Sequence, residues 1–195
     1  MGVRRGWLVL LALAAAGCGG DRQDANAPSG AFSVDVTAAS FPARQAIAEP
    51  VRLRLRVVNR GDRAVPNLAV TVATAPGADG AAPVAFGQAS GDAAQADGRR
   101  PVWIVDAGPA SGGSAYGDTW TVGRLAAGQT RTVMWRLTAV RAGSYVVSWR
   151  LSPALEGGAR LAGSGRVRGR FRVRVGDAPV PARVNADGEV VRRAP

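Results

Sequence analysis

The 195-residue chain contains no histidine, and all 25 of its basic residues are arginine, so lysine is missing as well. Each absence closes a branch of chemistry. Without histidine there is no Ser-His-Asp or Cys-His nucleophile pair and no imidazole metal ligand. Without lysine there is neither a Schiff base nor the lysine of a phosphate-binding loop. A single cysteine, Cys18, excludes an internal disulfide and a cysteine-based zinc site. Long apolar runs are scarce too. The stretch from Trp7 to Ala16 rises only about 15 Å as a helix, half of the ~30 Å hydrocarbon core of a bilayer.

The flanks of that stretch give it a meaning. Arg4 and Arg5 precede it, Ala15-Ala16-Gly17 stand at its end, and Cys18 comes next. A charged segment, an apolar segment and small residues at a cleavage point are the order of an export signal. With the cysteine directly after the small residues, the segment resembles a bacterial lipobox. The paired arginines lack the polar flanks of a twin-arginine signal, so general secretion is expected. The resemblance implies a signal peptide over 1–17 and a lipid on Cys18, which would hold the chain on the outer side of a bacterial membrane. Two acyl chains anchor stably where one binds weakly.

What the chain has in abundance is positive charge, with 14 acidic residues against 25 arginines, a net charge of +11 and a pI near 11.6. Such an excess favours acidic partners: anionic lipid headgroups or anionic polymers of the envelope. Nucleic acid is the usual partner of a basic domain, but an exported chain is not expected to meet it.

After Cys18, residues 18–31 carry no apolar periodicity and read as a flexible tether. A coil of that length reaches roughly 20 Å. From Phe32 the pattern changes to period two. Phe32, Val34 and Val36 alternate with polar residues, as do Val51, Leu53, Leu55 and Val57, and Leu68, Val70 and Val72 alternate with Ala69, Thr71 and Ala73. Trp103 with Val105, Trp120 with Val122, and Val133 with Trp135 and Leu137 continue the series. Tyr145, Val147, Trp149 and Leu151 follow, and Val167, Phe171, Val173 and Val175 close it. Each reads as a half-buried strand. Asn59-Arg60-Gly61-Asp62, Ala126-Ala127-Gly128 and Arg141-Ala142-Gly143 supply turns. The expected fold is an all-β antiparallel sandwich of seven or eight strands over 32–176, because each sheet must bury one apolar face against the other. Residues 75–101 and 107–118 read as long loops, and 177–195 as a loose tail.

The segment from Val51 to Val72, with Asn59-Arg60-Gly61-Asp62 leading into Val65-Pro66-Asn67-Leu68-Ala69-Val70-Thr71-Val72, resembles the opening half of bacterial conserved-repeat and cell-adhesion-related (CARDB-like) domains. Trp120-Thr121-Val122-Gly123-Arg124-Leu125-Ala126-Ala127-Gly128-Gln129, the strand to Val140 and Ala142-Gly143-Ser144-Tyr145 match the later half. The resemblance covers about residues 50–151 and implies an immunoglobulin-like sandwich. It is silent on ligands, and residues 75–118 are an insertion relative to it. Tyr145 stands where such folds place a tyrosine corner. Val147 stands two positions later, where antibody domains have cysteine, so packing alone must join the sheets. Trp103, Trp135 and Trp149 fall in the inward phase and are expected in that packing, not on a sugar-stacking platform.

Two arginine combs are the strongest candidate site. Arg52, Arg54 and Arg56 share one strand face, and Arg166, Arg168, Arg170, Arg172 and Arg174 another. They suit a polyanion contact, since guanidinium forks match phosphate and carboxylate oxygens. They also suit plain solvated faces that discourage edge-to-edge aggregation. In an immunoglobulin-like topology the combs lie on different sheets. The second candidate is a ligand loop carrying Asp106, Tyr116 and Asp118. Loops of this length are functional or disordered. Asp106 and Asp118 also form the only pair that suggests carboxylate catalysis, without a fixed geometry. Asp79, Asp92 and Asp97 lack calcium-loop spacing, and Arg60-Gly61-Asp62 sits in a turn already accounted for. The expected function is a non-catalytic envelope lipoprotein, without cofactor or metal, that binds a protein or anionic polymer or spaces an assembly. The alternative is a carbohydrate or small-ligand module using residues 75–118.

Overall fold

The computed structural model describes residues 29–75, 83–88, 100–109, 114–116, 118–155, 157–179 and 181–192. The expected signal segment and Cys18 lie outside them. Alternation drives the long strands. In β4 (Pro50–Asn59) Val51, Leu53, Leu55 and Val57 are buried while Arg52, Arg54 and Arg56 are exposed. β10 (Thr130–Ala139) buries Val133, Trp135 and Leu137 on the same principle. β11 (Gly143–Ser152) buries Val147, Trp149 and Leu151, and β13 (Arg168–Pro179) buries Val173 and Val175. Period two sets the two faces, and burying the apolar face supplies the stabilisation.

Two sheets stack around this core. The first runs β2 (Val34–Ser40), β4, β10, β7 (Trp103–Ala107) and β6 (Phe86–Gln88). The second runs β3 (Arg44–Ile47), β13, β11, β5 (Val65–Thr74), β9 (Thr119–Leu125) and β8 (Ser114–Tyr116). Their inner faces meet in one cluster that joins Leu53, Leu55 and Trp135 to Val70, Val72 and Trp149. Immunoglobulin constant domains order their strands A-B-E-D against C-F-G. Here β2, β4, β10 and β7 take the first set of places, and β5, β11 and β13 take the second. The fold is an immunoglobulin-like sandwich. The first strand divides as such folds allow, with β2 pairing antiparallel to β4 and β3 parallel to β13.

Eight strands of five residues or more answer the eight alternating segments of the sequence; the other described strands are three or four residues long, among them β1 (Gly30–Phe32) and β12 (Ala159–Leu161), which pair parallel with each other. Two expectations need correction. The stretches 75–101 and 107–118 are not simply loops. β6 lies in the first and pairs parallel with β7, and β8 lies in the second and pairs with β9. Phe86 is buried in the shared core, at 6.3 Å centroid distance from both Trp103 and Trp135. Three-residue strands are too short for alternation to register, which is why the sequence hides them. The C-terminal segment differs too: β14 (Ala182–Val184) and β15 (Val190–Arg192) form a hairpin. Asn185 organises its turn, its Oδ1 accepting from the N–H groups of Asp187 and Glu189 at 3.1 and 2.8 Å.

Candidate functional site

At one end of the sandwich, buried Asn59 ties two connections together, the one from β4 to β5 and the one from β9 to β10. Its Nδ2 donates to the carbonyls of Arg63, Leu125 and Ala126 at 2.7, 3.1 and 3.1 Å, and its Oδ1 accepts from Gly61 N–H at 3.0 Å. The Arg60-Gly61-Asp62 turn is thereby fixed, and Arg60 pairs with Asp35 at 3.5 Å. At the other end the tyrosine corner forms. Tyr145 Oη donates toward Ala142 O at 2.8 Å and lies 3.3 Å from Arg141 O. A Cβ on Gly143 would stand 2.8 Å from that hydroxyl oxygen, so the corner needs glycine there. Partial burial pushes the Tyr145 hydroxyl pKa above its ordinary value, and the nearby Arg141 charge pulls the other way.

Of the candidate ligand loop, residues 110–113 and 117 lie outside the described residues, and the structure sets Asp106 and Asp118 beside different sheets. Asp106, next to last in β7 on the first sheet, accepts from Thr138 Oγ1 at 2.9 Å. Asp118 lies just before β9 on the second sheet, and its carbonyl accepts from Val72 N–H at 2.8 Å. Tyr116 ends β8, beside Thr119 of β9. Among the described residues no group of histidine, cysteine, aspartate or glutamate is placed to hold a metal ion. No described helix is long and apolar enough to cross a membrane. Trp103, Trp120, Trp135 and Trp149 are all at most 4% exposed, so none offers a face for stacking a sugar.

The arginine combs take shape as two faces on opposite sheets. Arg52, Arg54 and Arg56 project from β4, and β10 adds Arg136 directly opposite Arg52. On the second sheet Arg168, Arg170, Arg172 and Arg174 project from β13, and β11 places Arg150 directly opposite Arg168. β3 sets Arg44 beside Arg174. Sequence reasoning found the combs but missed Arg136, Arg150 and Arg44, because opposition across strands is a property of register. Arg166 leaves its comb. Its N–H donates to Asp35 Oδ1 and its Nε to Val36 O, both at 3.0 Å, and Val36 N–H donates to its carbonyl at 2.9 Å. Its guanidinium lies 5.8 Å from the Trp149 ring centroid. It joins the two sheets instead of standing with its neighbours.

Carboxylates are nearly missing from both sheets. Asp177 is the single acidic residue in the strands of the second, and Asp35 and Asp106 are those of the first. Among the described residues, no side-chain hydrogen bond or ion pair engages Arg52, Arg54, Arg56, Arg136, Arg150, Arg168, Arg170, Arg172 or Arg174. Like charges directly opposite one another are destabilising in a sheet. The arrangement is therefore electrostatically incomplete in isolation.

No protein-family model matches the chain, and a search of curated proteins finds no match. Among solved structures it is similar to the CARDB domain of a Pyrococcus furiosus protein crystallised in complex with di-metal ions. That likeness has 15% identity and a TM-score of 0.43, covering 74% of this chain and 86% of that one. The solution structure of the same domain gives 14% identity and a TM-score of 0.43, with 74% and 93% coverage. Native alpha-2-macroglobulin from Escherichia coli, from domain MG7 to the C-terminus, gives 16% identity and a TM-score of 0.43, covering 78% of this chain and 18% of that one.

Proposed function

We propose that this chain is a non-catalytic, lipid-anchored module of the bacterial envelope that holds an anionic polymer against its arginine-bearing sheet faces. One observation carries the reading: arginines stand directly opposite arginines on the outward side of both sheets, with no described carboxylate engaging them. Bound anions supply the missing countercharge, and guanidinium forks take phosphate or carboxylate oxygens in pairs. The lipid expected on Cys18 keeps the domain near its ligand. A coil of the length read as a tether reaches roughly 20 Å.

Fractionation of cells and envelopes tests both parts. The wild-type chain is expected to stay with membranes in high salt, whereas full-length Cys18→Ser is expected to leave them. In low salt the released variant should co-sediment with isolated envelopes, and added salt should free it, because contacts between exposed charges are screened over about 10 Å at 0.1 M. Salt-resistant membrane attachment of Cys18→Ser would remove the anchor from the proposal. Failure of the variant to bind envelopes at any ionic strength would remove the polymer.

A further inference from the structure

The outer side of the β11–β13 pair is not flat. A trough of about 610 Å³ is lined by Thr71, Ala73, Ser148, Arg150, Arg168 and Arg170. A second, of about 720 Å³, is lined by Ser152, Arg160, Gly165 and Arg166 together with the same Arg150 and Arg168. These two arginines are shared, so the troughs adjoin and the pair stands between them. No described aspartate or glutamate lines either one.

Register brings the pair close. Leu151 N–H donates to Val167 O at 2.8 Å on the β11 side, whereas Arg174 N–H donates away from β11 to Ala43 O at 2.8 Å. Even-numbered residues of β13 therefore turn their backbone groups away from β11, and Arg150 with Arg168 is a non-hydrogen-bonded pair. Side chains in such pairs are the closer kind, with Cβ atoms about 4.5–5.5 Å apart. The floor beside them is kept low by small side chains. Ser148 stands between Ala73 on one side and Arg170 on the other, and its Oγ donates to Ala73 O at 3.2 Å. The first sheet has a comparable opposed pair in Arg52 and Arg136, but the depression next to Arg52 is lined by Glu49. That carboxylate makes it the poorer seat for an anion.

We infer that the joined troughs are a subsite for a linear polyanion, with one phosphate or carboxylate group seated between the guanidinium groups of Arg150 and Arg168. Arg170 on one side, and Arg160 and Arg166 on the other, serve the neighbouring charges of the same polymer. This rests on the reading that the chain binds an anionic polymer and adds where, and through which pair. Arg166 is held in place by its bonds to Asp35 and Val36, so one wall of the second trough is fixed before the ligand arrives.

The test titrates full-length Cys18→Ser with long-chain inorganic polyphosphate and, separately, with poly-L-glutamate at low ionic strength. The preferred polymer tells phosphate from carboxylate. R150S/R168S is expected to weaken the preferred polymer by at least about tenfold, the scale of losing charge-assisted hydrogen bonds. R141S/R183S removes the same charge from exposed positions outside both arginine faces and is expected to cost less than about threefold. R150K/R168K keeps the charge but not the forks and should fall between wild type and R150S/R168S, which also covers the case of an unfolded serine variant. Equal losses in the two serine variants would overturn the subsite while leaving general polymer binding intact, and undiminished binding by R150K/R168K would overturn the forked seat. Absence of binding to either polymer by the unsubstituted chain would overturn the underlying reading too.

Discussion

Tyr145 links a local hydrogen bond to a measurable pH response. The corner donates its phenolic proton to the 141–142 backbone. Partial burial disfavours the charged form and outweighs the pull of the Arg141 charge, so the pKa in the fold lies above the ordinary value near 10. Above the unfolded pKa the unfolded chain gives up this proton first, and its stability relative to the folded state rises. The contribution of Tyr145 is therefore complete below pH ~10 and declines as pH climbs through the raised folded value. Tyr145→Phe is expected to lose about 1 kcal/mol at neutral pH, the net worth of a typical hydrogen bond. It should also lack that part of the alkaline decline. Denaturant melts of both proteins from pH 8 to 11 read out the two effects, and identical slopes above pH 10 would count against the corner as the titrating element.

Strand by strand, structure follows how much each element carries its own signal. β4, β10, β11 and β13 announce themselves by alternation, because each buries one full face. β6 and β8 do not, since three residues lodged among glycine and alanine borrow their conformation from the strands they pair with. The combs were legible for the same reason as the strands. The opposed pair of Arg150 and Arg168 was not, because register is set by tertiary pairing and not by local pattern. The same reasoning separates β7 from the C-terminal hairpin. Trp103 of β7 is fully buried, touching Phe41, Phe86 and Tyr145 through ring contacts and donating to buried Gln45 Oε1 at 2.7 Å. Trp103→Ala should cost about 3–5 kcal/mol. The β14–β15 hairpin, by contrast, pairs with neither sheet and leaves Val184 and Val190 exposed. A chain ending at Pro179 is expected to keep the sandwich within about 0.5 kcal/mol of the full protein. Equilibrium unfolding of the two variants should give this large difference, and comparable losses would mean that the hairpin packs on the domain.

For the molecule as a whole, the excess of arginine acts on folding and on binding with opposite salt dependence. With a net charge of +11 and facing arginine pairs on both sheets, the folded state repels itself more than the unfolded chain, in which those charges lie farther apart. Raising ionic strength shortens the screening length from about 30 Å at 0.01 M to about 10 Å at 0.1 M, so the domain should gain stability with salt. Polymer binding through the same residues should weaken over the same range. A gain of about 1 kcal/mol would raise Tm by roughly 2–4 °C for a domain of this size. The quadruple variant R52S/R136S/R150S/R168S removes both opposed pairs and should flatten the rise. Thermal melts between 10 and 300 mM sodium chloride decide the matter. If wild-type Tm stays level or falls, carboxylates elsewhere already balance the arginine faces, and the faces have no unmet demand for an anion. If Tm rises with salt while envelope binding drops, repulsion within the fold and attraction to its partner have one source, the uncompensated guanidinium groups on its two outer faces.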